Sequence, residues 1–180
     1  LSNLQFIATM STGFDHIDLQ ECAKHKIFVS NVPNYGENTV AEHTFALLLN
    51  ISRKIFDSVE LTRKGKFDYQ GLRGFDLKGK TLGVIGTGRI GLQVIKIAKG
   101  FDMNIIAYDV FQNKEQARKL GFTYVKKISN ILSQSDIITL HTPYTHETHH
   151  LINTKNLKHI KKGLAFFKKA WPFQAKAFTG

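Results

Sequence analysis

The sequence predicts an α/β fold in which helices cover both faces of a mostly parallel, doubly wound sheet. Three observations carry that reading. Short apolar runs alternate with amphipathic stretches along most of the chain, as in successive β-α-β units. A glycine fingerprint, Gly83-Val84-Ile85-Gly86-Thr87-Gly88-Arg89-Ile90-Gly91, lies between an apolar run and a helical one. An acid, Asp109, ends the next apolar run about twenty residues beyond the fingerprint.

In chain order, Leu4 to Ala8 is strand-like, Ile17 to Lys26 suits a short helix and Ile27 to Ser30 is strand-like again, making one small β-α-β unit. Asn31 to Thr39 is rich in turn formers and reads as a linker. From Val40 to Ile55 an apolar helix runs through Phe45, Leu47, Leu48, Leu49 and Ile51. Its apolar surface exceeds one stripe, so burial on several sides or contact with a second copy is expected. Arg53 to Phe75 is polar and charged and carries no predicted element.

Lys80 to Ile85 has the apolar, β-branched character of a buried parallel strand. Ile90, Val94, Ile97 and Ala98 then recur at helical spacing, and Asn104 to Asp109 supplies the second strand. Lys114 to Leu120 reads as a helix, Gly121 to Val125 as a third strand, and Ile128 to Ser133 as a helix that Ser129 could cap. Asp136 to Leu140 is a fourth strand ending at His141-Thr142-Pro143. That end falls near the crevice where an open α/β sheet binds its ligand.

The fingerprint assigns each glycine a task in a Rossmann-type dinucleotide site. Gly86 allows the tight strand-to-helix turn, Gly88 lets backbone approach a pyrophosphate, and Gly91 lets helix and strand pack closely. The amides at the helix N-terminus then face the phosphates. Asp109 would accept from both ribose hydroxyls and repel a 2′-phosphate, so the expected cofactor is NAD rather than NADP.

Composition narrows the function classes. The formal net charge is +11, but seven lysines and no acid follow Leu151, which leaves the first 150 residues at +4. No helix carries a basic stripe interleaved with aromatics, so no nucleic-acid partner is expected. The single cysteine, Cys22, excludes an internal disulfide framework and is expected to be a buried small side chain. No segment is apolar enough to cross a bilayer, so a cytoplasmic location is expected and a membrane role is not. The chain opens on Leu1, directly into a strand-like run, as though a beginning were missing.

Eight histidines are present. His146, His149 and His150 invite a metal reading, but adjacent histidines are expected to point apart and no Cys or acidic ligand completes a set, so no metal is expected. His141 is expected to be a turn histidine bonded to backbone, and His43 to pack on its helix near Glu37 and Glu42.

Four motifs together are similar to the D-isomer-specific 2-hydroxyacid dehydrogenases, D-lactate dehydrogenase-like members in particular. They are Ser11-Thr12-Gly13-Phe14-Asp15-His16-Ile17-Asp18; Asn31-Val32-Pro33 through Val40-Ala41-Glu42-His43-Thr44; the fingerprint with Asp109; and His141 through Thr148. The resemblance implies that residues 1–33 end a flavodoxin-like substrate domain, that 34–163 form an incomplete NAD-binding Rossmann domain, and that 164–180 are a tail unlike the family. It also implies that Arg89 and Ile90 meet the pyrophosphate, that Asp109 holds the ribose, and that Thr142-Pro143 turns against the adenosine side. Thr12 and Gly13 resemble the loop that meets the substrate carboxylate, although Met10 stands where an arginine is expected. The helix around Val40 to Ile55 resembles the family's dimerisation element, which implies a homodimer.

The implied reaction moves a hydride between NAD and C2 of a small 2-hydroxy or 2-oxo acid of the D-lactate/pyruvate kind. A histidine, its carboxylate partner and a clamping arginine do the polar work. All three are expected downstream of Gly163, where an Asn-Thr-Ala-Arg-Gly type motif would end the next strand. Residues 164–180 instead read Leu-Ala-Phe-Phe-Lys-Lys-Ala-Trp-Pro-Phe-Gln-Ala-Lys-Ala-Phe-Thr-Gly, which suggests a shifted reading frame and an inert fragment. The strand at 136–140 is then expected to present a naked edge unless the tail covers it. Two other activities fit the same residues: an NAD-sensing, partner-binding corepressor-like protein, and a relative acting on formate, glycerate or phosphoglycerate.

Overall fold

The computed structural model describes residues 3–161 and, as backbone, two further strands at Ala165–Lys168 and Lys176–Ala177. The reading of the rest of the tail as unlike the family lies outside the described residues. The chain divides into two compact units, Leu1–Glu37 and Asn38–Gly180.

In the first unit, β1 (Phe6–Ala8) and β2 (Phe28–Ser30) pair in parallel, with Phe6 opposite Phe28. They are joined through α1 (Leu19–Lys24), whose N-cap Asp18 accepts the Glu21 amide. Both phenylalanines are more than half exposed, which is unusual for a parallel pair. Cys22 is half-buried rather than buried, because α1 buries none of its residues.

At the boundary begins α2 (Glu37–Ser52), which from Asn38 onward belongs to the second unit. The helix therefore begins inside the predicted linker, with Glu37 in its first turn, where a negative charge complements the helix dipole. Ala41, Phe45, Leu48 and Ser52 form its buried stripe, flanked by partly buried Leu47, Leu49 and Ile51. Phe45 stacks on Phe101 at a centroid distance of 5.4 Å. His43 is exposed on this helix.

A further helix, α3 (Ile55–Arg63), occupies part of the stretch in which no element is predicted. It buries no residue, so its apolar stripe of Ile55 and Val59 is too thin to stand out among charges. Lys54, at φ 55°, separates the two helices, and the Asn50 carboxamide oxygen accepts the Phe56 amide beyond the break.

Six strands form the main sheet: β3 (Thr81–Ile85), β4 (Asn104–Tyr108), β5 (Thr123–Tyr124), β6 (Ile137–Leu140), β7 (Ala165–Lys168) and β8 (Lys176–Ala177). Their order is β5-β4-β3-β6-β7-β8, parallel from β5 through β7, with β8 antiparallel at the edge. Sequence order reverses between β3 and β6, the switch point of a doubly wound sheet. Leu82, Val84, Ile105 and Ala107 pack with Val94 and Ala98 of α4 (Arg89–Gly100) and with α2. Ile85, Ile138 and Leu140 pack in a second cluster with Ile131 and Leu132 of α6 (Ile128–Gln134). Between them in the chain, α5 (Lys114–Leu120) is capped by Asn113 and stopped by Gly121 at φ 68°. Lys127 is the N-cap residue of α6, so Ser129 lies inside the first turn and does not cap it. The short α7 (Thr154–Leu157) carries a capping box from Asn153 and Asn156.

The expected naked edge at 136–140 does not occur. Ile137 to Leu140 pairs in register with Ala165 to Lys168 of β7. An apolar strand with unpaired amides is a template for any neighbouring extended segment, and here the chain's own tail takes the place. Deleting residues 164–180 is expected to leave β6 unpaired and make the protein self-associate in light scattering. A shortened chain that stays monodisperse and melts like the full one would contradict this pairing.

At the other end of β6, Asp136 fastens the strand to β3. Its amide donates to the Thr81 carbonyl at 2.9 Å, and its Oδ2 accepts the Thr81 amide at 2.9 Å. Lys161 Nζ donates to Oδ1 at 2.6 Å. Partial burial raises the Asp136 pKa, but the hydrogen bonds from Lys161 and Thr81 and the charges of Lys161 and Lys80 outweigh it and hold the carboxyl below the usual carboxylate range. A lowered folded-state pKa stabilises the fold above the ordinary value near 3.9 and loses that contribution as the pH falls through the folded value. Lys161 is half exposed, so Asp136→Asn is expected to cost only about 1 kcal/mol at pH 7. In denaturant titrations the gap between variant and parent should narrow as the pH falls below the ordinary carboxylate range.

Candidate functional site

The fingerprint lies where β3 gives way to α4, at the switch point. Gly86 takes φ 90°, and a Cβ there would lie 2.8 Å from the His141 carbonyl carbon and oxygen, with Thr142 Cγ2 at 3.0 Å. Only glycine lets the ends of β3 and β6 come this close. A Cβ on Gly91 would collide with the Gly86 carbonyl oxygen, so the first turn of α4 packs directly on the fingerprint backbone. Gly88 differs from both. Nothing lies within 4 Å of where its Cβ would be, and its φ of −66° suits any residue. The protein's own packing therefore gives no reason for glycine at 88, whereas a group approaching the backbone from outside does.

Gly88 is also the N-cap of α4 and brings no side-chain bond to the first-turn amides. Those amides carry the partial positive charge of the end of a twelve-residue helix, which favours an anion. Gly88 and Arg89 are exposed, Ile90 is half-buried and Gly91 is buried. The fingerprint thus turns its middle residues outward.

Asp109 follows the last residue of β4, beside this loop. Its Oδ2 accepts the Thr87 amide at 2.6 Å and the Thr87 hydroxyl at 2.9 Å, and its Oδ1 accepts the Phe111 amide at 2.9 Å. Tyr124 Oη lies 2.8 Å from Thr87 Oγ1 and accepts the Asn113 amide at 3.2 Å. Val110 and Phe111, which follow the acid, are 76% and 86% exposed, leaving apolar surface open next to the carboxylate. The sequence reading missed Thr87 and Tyr124. Thr87 stands inside the fingerprint and could have been questioned, but nothing in the sequence marks Tyr124.

Thr142 is half-buried against Gly86, and the exposed Pro143 offers its carbonyl to the Thr148 hydroxyl at 2.6 Å. The His141 ring was expected to bond to backbone. Its Nε2 lies 2.7 Å from the hydroxyl of Thr139, two residues back along the chain. His149 and His150 were expected to point apart, yet their ring centroids are 3.8 Å apart, since His150 adopts φ 48° and turns the chain back. Among the described residues, no group of three His, Cys, Asp or Glu could hold a metal ion.

Thr12 and Gly13 belong to the first unit. There the Thr12 hydroxyl donates to the Val32 carbonyl at 3.2 Å, and Asn31 Nδ2 donates to the Thr12 carbonyl at 2.8 Å. The loop after β1 is thus tied to the segment after β2, with Thr12 and Gly13 exposed.

A hollow of about 640 Å³ opens at the opposite end of the main sheet, beside Thr81, Asn104 and Thr123 at the starts of β3, β4 and β5. Its two lysines are engaged elsewhere, Lys161 with Asp136 and Lys99 with the Gly121 carbonyl. It adjoins no part of the fingerprint.

Gly88 and Gly91 can be told apart experimentally. Gly88→Ala is expected to keep the parent melting temperature while weakening dinucleotide binding at least about tenfold. Gly91→Ala should lower stability by about 1–3 kcal/mol through overpacking. A Gly88→Ala protein that binds as the parent does would remove the argument from open space at that position.

A family model for the D-isomer-specific 2-hydroxyacid dehydrogenase NAD-binding domain matches residues 45–170, continuing past Gly163, where the motif resemblance stops. A 2-hydroxyacid dehydrogenase homolog from Haemophilus influenzae is 40% identical over 161 residues, covering 89% of this chain and 48% of the relative. D-lactate dehydrogenase from Escherichia coli is 37% identical over 161 residues, with the same coverage of 89% and 48%. The chain therefore spans about half the length of these relatives. The crystal structure of D-lactate dehydrogenase from Aquifex aeolicus with NAD and lactic acid superposes with a TM-score of 0.83 at 39% identity, over 93% of this chain and 50% of that one. With its switch-point glycines and acid in place, this chain belongs to the D-isomer-specific 2-hydroxyacid dehydrogenase family and carries that family's NAD-binding domain.

Proposed function

We propose that this chain supplies the coenzyme-holding half of an NAD-dependent dehydrogenase for a small D-2-hydroxy acid, of the D-lactate/pyruvate kind. The observation that carries the reading is the open space at Gly88, above an uncapped helix end and beside Asp109. In this reading the α4 amides and Arg89 hold the pyrophosphate, with Ile90 alongside. Asp109 selects an unphosphorylated ribose, and Thr142-Pro143 borders the adenosine. NAD, when bound, supplies the hydride acceptor and donor.

Unit 1 is proposed as the closing part of a substrate domain, whose Thr12-Gly13 loop meets the substrate carboxylate. The exposed Phe6 and Phe28 side chains support this, because a parallel strand pair with open apolar faces suits a larger sheet. A second copy is the proposed cover for Ile55, Phe56 and Val59, all exposed on α3. Residues 164–180 contain no arginine, histidine or acid, so they supply neither the substrate clamp nor the proton-exchanging pair. The 180-residue chain is accordingly proposed to bind NAD without turning over a 2-oxo acid.

Calorimetric titration with NADH and NADPH tests the reading. The chain should prefer NADH by at least about tenfold, because a 2′-phosphate beside Asp109 would be repelled. Asp109→Ala should weaken NADH about tenfold and erase the preference. Equal affinity for the two coenzymes, or no binding of either, would overturn it.

A further inference from the structure

The amino ends of β3, β4 and β5 carry a polar floor that the fold leaves uncovered. Thr81 lies opposite Asn104, and Thr123 opposite Ile106, in parallel register. Paired residues of a sheet share a face, as do residues two apart on one strand, so Thr81, Asn104, Ile106 and Thr123 project from the same side. That is the side on which α6 packs, in the cluster of Ile131 with Ile85 and Ile106. The end of α6 is seated on β3 at Gly83, where a Cβ would collide with Ser135 Oγ. The helix is only seven residues long, and Ser133 and Gln134 at its end border the floor without closing it. What remains is the hollow of about 640 Å³.

Its chemistry is the opposite of an apolar ligand pocket. No acid lines it, and its charged side chains are Lys99 and Lys161. An ammonium group carries three N–H donors. Lys161 commits one to Asp136, and Lys99 commits one, at 3.4 Å, to the Gly121 carbonyl, so each keeps two. Asp136 also feels the charge of Lys80, so one negative charge is shared between two lysines. Lys99 has no acidic partner among the described residues. Within the same residues, no hydrogen bond engages the hydroxyls of Thr81 and Thr123 or the Gln134 carboxamide. The hollow thus offers surplus positive charge on two flexible stems, beside uncommitted polar groups.

We propose that this hollow is a second binding site, for a small organic polyanion that also carries hydroxyl groups: a hydroxy-polycarboxylate or a phosphorylated polyol. Its anionic groups accept charge-assisted hydrogen bonds from Lys99 and Lys161, and its hydroxyls meet Thr123 and Gln134. The volume suits a ligand of metabolite size. The site stands independently of the coenzyme reading, since it adjoins no part of the fingerprint.

Calorimetry on the 180-residue chain at fixed ionic strength, with citrate and with glycerol 3-phosphate, tests the site and separates the two ligand chemistries. At least one probe should saturate with a Kd of about 1 mM or tighter. Lys99→Gln and Lys161→Gln should each weaken that probe at least about fivefold. Asp136→Asn, which removes the negative charge beside Lys161, should instead tighten it by about twofold to fivefold. Amide shifts on adding the probe should move at Thr81, Asn104 and Thr123.

Saturation by neither probe up to about 20 mM would overturn the proposal. So would shifts centred on Gly86 to Gly91, which would place the anion at the fingerprint, or weaker binding by Asp136→Asn. Should Lys161→Gln fail to show a cooperative melt, the exposed Lys99 decides: parental affinity in Lys99→Gln rules the site out.

Discussion

Everything around the fingerprint depends on how closely two strand ends and one helix can approach. Gly86 meets the His141 backbone at a distance no Cβ would allow, and Gly91 seats α4 on the Gly86 carbonyl. These contacts bring β3, β6 and α4 to a single point. A methyl group at either position would push the elements apart and shift the amides of the helix end. Gly88, in contrast, has open space where a side chain would stand, so the tight packing of its neighbours is what holds an open backbone surface in place.

A second layer of order comes from polar groups. Asp109 follows β4 with its carboxylate already engaged by the fingerprint loop through Thr87. The acid and the glycine turn are thus coupled, and the ribose and pyrophosphate parts of a dinucleotide would meet surfaces fixed relative to each other. Such preorganisation lowers the ordering cost of binding. Exposed apolar surface, Val110 and Phe111, follows immediately after the acid in the chain.

Much of this was visible in the sequence. Periodicity located β3, α4, β4 and β6 because each carries a strong local signal, a β-branched run or an i to i+4 apolar stripe. The fingerprint and Asp109 were readable because their spacing reflects a geometric need. Other features had no such signal. Helix α3 buries nothing, so its pattern is almost entirely polar. Strand β7 exists through pairing with β6, and an apolar tail without period does not announce a partner. Tyr124 reaches Thr87 only because β5 and β4 are neighbours in the folded sheet, and the spacing between them along the chain says nothing about that contact. The Ser129 cap failed for a related reason, since the helix start depends on the extended geometry of Lys127.

The central claim is that the dinucleotide site lies at the carboxyl ends of β3 and β4 and not in the hollow at their amino ends. Backbone amide chemical shifts of the 180-residue chain, recorded by NMR as NAD is added, address this most directly. The account predicts perturbations concentrated at Gly86 to Gly91, at Asp109 to Phe111 and around Thr142. Perturbations centred on Thr81, Asn104 and Thr123, or none at saturating NAD, would contradict it.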